Sequence, residues 1–80
     1  MTAMYDRLTE LLTNKLGVDA AELNPAATFE ELDIDSLALV ELTDIIEGHL
    51  GIVVGEGEIR KGATLAEAAQ ALEIHAAAGQ

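Results

Sequence analysis

The sequence predicts an all-α fold, a small bundle of three main helices plus one short, variable helical segment, and three observations predict it. Apolar residues recur at helical spacing in three blocks. Glycines stand where the first two blocks end. Two Thr-x-x-Glu boxes, the pattern in which threonine and glutamate cap a helix start reciprocally, open later segments.

Met4, Leu8, Leu11, Leu12 and Leu16 define the first helix, with Asp6, Arg7, Glu10 and Asn14 on its other side and Gly17 as its stop. Over residues 18–34 the periodicity fails, and Asn24-Pro25 marks a break in a long connection. Thr28-Phe29-Glu30-Glu31 has capping-box spacing, so a short helical turn there is expected to plant Phe29 and Leu32 on the core. The second helix should cover residues 36–50 and stop at Gly51. Ile52 and Val54 continue as an apolar tether, and Gly55, Gly57 and Gly62 frame residues 58–61, which hold a turn of helix at best. Thr64-Leu65-Ala66-Glu67 opens the last helix, whose Leu65, Ala68, Ala69 and Leu72 form a stripe of small and large side chains. A single domain over residues 1–80 is expected, with 1–2 and 76–80 frayed. Its core should gather Leu8, Leu12 and Leu16 from the first helix, Leu42 and Ile46 from the second, and Leu65 and Leu72 from the last.

Fifteen acidic residues against four basic ones give a formal charge of −11 on 80 residues. Such a field repels nucleic acid and anionic lipid and attracts basic protein surfaces. There is no cysteine, so disulfides, thiolate metal sites and a cysteine nucleophile are excluded, and any thiol chemistry must be imported. Charged residues interrupt the amino-terminal block, and no stretch is long and apolar enough to span a bilayer, so a cytoplasmic monomer with neither membrane nor nucleic-acid partners is expected.

On a helical wheel Leu39, Leu42, Ile46 and Leu50 share one face of the second helix, which is core. Opposite lie Leu37, Val40, Glu41, Asp44 and Glu47, with Ser36 at the leading edge. A purely solvated face has no need of Leu37 and Val40 beside three carboxylates. A face that docks transiently on basic partners needs both, apolar contact for affinity and charge for steering. Serine at a helix start is often only a cap. Asp35 is an equally good cap, however, which leaves the Ser36 hydroxyl exposed at the positive end of the helix dipole, where a phosphodiester is favoured.

The run Leu32-Asp33-Ile34-Asp35-Ser36-Leu37, followed by Val40-Glu41-Leu42, resembles the prosthetic-group attachment motif of acyl carrier proteins, Gly-x-Asp-Ser-Leu at the start of the second main helix. Similarity extends over nearly the whole chain. It implies that Ser36, flanked by Asp35 and Leu37, receives 4′-phosphopantetheine from coenzyme A through a separate Mg²⁺-requiring phosphopantetheinyl transferase. The arm's thiol then holds acyl groups as thioesters for polyketide, fatty acid or related biosynthesis. On this resemblance the chain is no enzyme and has no catalytic residue; it is a tethered substrate for acyltransferases, ketosynthases or other enzymes with basic docking surfaces. Leu37, Val40, Glu41, Asp44 and Glu47 would form the partner face.

Two positions depart from the family. Asp33 stands where glycine is usual, and Asp44 stands where fatty acid carriers commonly have methionine or another apolar residue, which points away from fatty acid synthesis. An aminoacyl, peptidyl or D-alanyl carrier is the alternative within the family, although the Gly-Gly-x-Ser style of peptidyl carriers is absent. Outside it, the rival is an unmodified acidic adaptor that binds through Leu37 and Val40. Asp33, Asp35 and Glu41 lack the ligand spacing of a calcium loop, since Leu37 and Ala38 fill the positions that need oxygen and glycine. No metal site is expected. His49 lies about 20 Å along the helix from Ser36, too far for a hydrolytic pair. Arg60-Lys61, the one basic pair, reads equally as a solvated turn or a partner contact.

Overall fold

The computed structural model describes residues 3–55 and 57–78. Three α-helices are present among them, α1 (Ala3–Lys15), α2 (Ser36–Leu50) and α3 (Leu65–Ala78), with a single turn of 3₁₀ helix at Ala20–Glu22. Helix α1 packs against both α3 and α2. Both glycine stops act as the spacing predicts. Gly17 at φ 72° lets the Val18 amide donate to the Leu12 carbonyl, 3.1 Å away, and Gly51 at φ 67° donates to Glu47 O at 3.1 Å. Only glycine takes these angles without a Cβ penalty.

Leu8, Leu12, Phe29, Leu42, Ile46, Leu65 and Leu72 are the largest fully buried side chains. Leu16 packs against the core as expected but is only partly buried, standing one residue beyond Lys15, the last residue of α1. Helix α3 departs from expectation, running through Ala78 rather than fraying at Ala76; alanine is the strongest helix former, and Ala76 packs partly buried against the core. Residues 1–2 and 79–80, where fraying was also expected, lie outside the described residues.

Both capping boxes form. Thr28 N donates to Glu31 Oε1 and Glu31 N to Thr28 Oγ1, at 2.9 and 3.1 Å, and Thr64 and Glu67 repeat the pair at the same two distances. The second starts α3. The first starts only a turn, because Asp33 at φ 61° closes it after one winding. Ile34 N then donates to Phe29 O and Asp33 N to Glu30 O, each at 3.0 Å, a Schellman closure whose Phe29 and Ile34 are both buried in the core. The two threonines face each other in an antiparallel bridge. Around it Phe29 N donates to Ala63 O, Leu65 N to Ala27 O and Glu30 N to Lys61 O, so the approach to α3 is laced to the approach to α2.

The short, variable helical segment expected at 58–61 is absent. Residues 57–59 form a turn, held by the Glu58 carboxylate, which accepts from Gly55 N and meets His75 Nε2 of α3, both at 2.6 Å. Glycines favour turn over helix, and Ile52, Val54, Ile59 and Ala63 anchor the segment by burial instead. The His75 hydrogen bond, and after it the Gly55 amide, hold the Glu58 carboxyl below its ordinary value of 4.5. A carboxyl whose folded pKa is depressed contributes stability that is complete above the unfolded value and is lost as pH falls through the folded one. Glu58→Gln should therefore lower the thermal midpoint relative to Glu73→Gln, an exposed charge removal on α3, by a margin that holds where the Glu58 carboxyl is ionised and should close as more acid solution protonates it. Melting curves across a pH series check it; a margin that survives at low pH would show that the latch does not depend on charge.

Candidate functional site

The start of α2 is built by Asp35. With extended backbone (φ −80°, ψ −178°), its Oδ1 accepts from Ala38 N at 2.9 Å while its carbonyl takes the Leu39 amide, also at 2.9 Å. This occupies the capping role. Ser36 is consequently the first helical residue, exposed, and its hydroxyl makes no hydrogen bond among the described residues. The amides of Ser36 and Leu37 are likewise uncommitted among those residues and belong to the positive end of the helix.

Leu37 and Val40 are 69% and 59% exposed, among the largest apolar exposures described. Glu41 and Asp44 are exposed beside them. Glu47 is different from the free surface charge that the wheel implies. It is half-buried, and its Oε2 accepts from Val54 N at 3.2 Å, tying the segment after α2 back onto the helix. The angular position is as expected, but the chain's turn at Gly51 folds the backbone over it.

Beside Ser36 lies an open cleft of about 500 Å³ between α2 and the segment that follows it. Leu39, Val40, Val54 and Ile59 give it an apolar wall, and Asp44, Arg60 and Lys61 its charge. Sequence reasoning did not find this far wall. The signal was a lone isoleucine, Ile59, in a glycine frame too irregular for any periodicity to register.

Asp33 occupies the left-handed conformation, the one non-glycine residue to do so among the described residues. This accounts for glycine at the matching position of the resembling family and for aspartate as a workable substitute, since short polar side chains tolerate the region best. Asp33→Gly should raise stability by roughly 1 kcal/mol. Asp33→Asn, which removes the charge but keeps a Cβ, should gain less; denaturant midpoints for the two distinguish backbone relief from charge relief.

A free serine hydroxyl on a helix amino terminus, set at the mouth of an apolar cleft, suits a phosphate-linked chain. The chain belongs to the family described as phosphopantetheine attachment site, which it matches over residues 6–72. Members of this family are carriers, not themselves catalytic, and the group they take is covalently attached 4′-phosphopantetheine. The residues present fit that group. The Ser36 hydroxyl is unengaged and reachable, the adjoining amides favour an anion, and the cleft offers apolar surface for a flexible arm.

Proposed function

We propose that the chain carries acyl intermediates as thioesters on a phosphopantetheine arm attached to Ser36, for polyketide, fatty acid or related biosynthesis in the cytoplasm. The observation that carries this reading is the division of labour at the start of α2, where Asp35 caps and Ser36 is left with a free hydroxyl. In attachment the Ser36 Oγ attacks the phosphorus of coenzyme A that bears the pantetheine, an Oγ–P bond forms, the pyrophosphate P–O bond breaks and 3′,5′-ADP leaves, with the hydroxyl proton passing to a base of the transferase. When bound, the group supplies the thiol that this cysteine-free chain lacks.

Partners meet the face of Leu37, Val40, Glu41 and Asp44, where apolar contact and negative charge adjoin the attachment point. Glu47 supports that face from its rim by holding Val54. No helix among the described residues is long and apolar enough to cross a membrane, which agrees with enzymes in aqueous solution as partners. The carrier reading is tested by loading with an acyl-coenzyme A and a broad-specificity transferase, then treating with neutral hydroxylamine. Loss of the acyl mass alone, with the arm retained, is expected; an acyl group that resists hydroxylamine would contradict thioester carriage.

A further inference from the structure

We infer that Arg60 and Lys61 hold the phosphodiester of the arm and so lay the arm along the cleft, an inference that rests on Ser36 as the attachment residue. Only four basic residues offset fifteen acidic ones in this chain, and two of the four line the cleft that Ser36 opens. Their placement is fixed by backbone. The Lys61 carbonyl accepts from Glu30 N at 2.9 Å, so the segment that leads into α2 holds Lys61, and the Arg60 carbonyl accepts from Ala63 N at 3.0 Å within the turn before α3.

Neither side chain forms an ion pair among the described residues. Lys61 also borders a smaller hollow of about 200 Å³ with Glu30, Asp33 and Asp35. A phosphodiester on Ser36 thus arrives beside the acids Glu30, Asp33 and Asp35, which repel it, and beside a cleft in which Arg60 and Lys61 outnumber the one acid, Asp44. That asymmetry directs the phosphate toward the cleft. Arginine and lysine are the side chains suited to a phosphate oxygen, the first as a fork of donors and the second as a mobile point charge. Beyond the basic pair, Leu39, Val54 and Ile59 offer the arm an apolar bed.

The test compares apo and phosphopantetheinylated protein by ¹H–¹⁵N spectra at low salt, for the parent, R60Q/K61Q and R7Q/K15Q. The last removes the same charge from α1, away from the cleft. Loading of the parent and of R7Q/K15Q should shift the amides of Val54, Gly55 and residues 59–62, together with the Arg60 side-chain N–H. In R60Q/K61Q, whose apo spectrum should otherwise match the parent, loading should still go to completion by mass while the shifts at Val54, Gly55 and Ile59 fall several-fold. Indifference of residues 59–62 to loading in the parent, or an undiminished wall response in R60Q/K61Q, would overturn the inference while leaving the carrier reading intact. A parent that gains no mass would overturn both.

Discussion

Phe29→Ala should unfold a large part of the population at room temperature. Phe29 is fully buried, although it comes from the loop and not from a helix. Removing a core phenylalanine costs about 3–5 kcal/mol, whereas a chain of this length has about 4–12 kcal/mol in total. The expected loss is of the same order as the whole. Phe29 also anchors the Schellman closure through its carbonyl and the lacing to Ala63 through its amide, so its ring holds in place the turn that delivers Asp35 and Ser36. Circular dichroism against denaturant reads the effect. A midpoint close to the parent's would mean that the loop is not part of the cooperative unit.

Charge reversals on α2 should separate into two kinds. Glu41→Lys and Asp44→Lys remove exposed carboxylates and should leave stability within about half a kcal/mol. At low salt each should slow loading by the transferase on the order of 3-fold to 10-fold, through the association rate, and the deficit should shrink as salt screens the field. Glu47→Lys removes the acceptor of a buried residue's amide, Val54 N, and should cost about 1–3 kcal/mol. Its loading defect should therefore accompany a lowered melting midpoint and persist in salt. Leu37→Ala should weaken engagement at every ionic strength without loss of stability, because its contact is apolar. Loading rates over a salt series, with melting curves alongside, distinguish these cases. If Glu41→Lys and Asp44→Lys load at the parent's rate in low salt, partners dock elsewhere.

The helices were legible in the sequence because their signals are local. The spacing of Leu8 and Leu12, the stop at Gly51 and the reciprocal box of Thr64 and Glu67 each act within a few residues of chain. The division between Asp35 and Ser36 was legible for the same reason. What the sequence concealed depends on contacts between distant segments. Glu47 reads as a free charge until the chain after Gly51 returns over it, and no local pattern links His75 to Glu58, 17 positions away. The bridge between Thr28 and Thr64 likewise joins two caps that no periodicity links, yet it sets the basic pair beside the attachment serine.

The central claim is that Ser36 is free to accept the prosthetic arm because Asp35 does the capping. Its most direct measurement is intact mass with fragmentation after incubation with coenzyme A, Mg²⁺ and a broad-specificity phosphopantetheinyl transferase, on the parent and on Ser36→Ala. The parent should gain one phosphopantetheinyl group, mapped to Ser36, and Ser36→Ala should gain none while keeping its helical spectrum. A parent left unmodified under conditions that load a control carrier, or a group mapped to any other residue, would contradict the account.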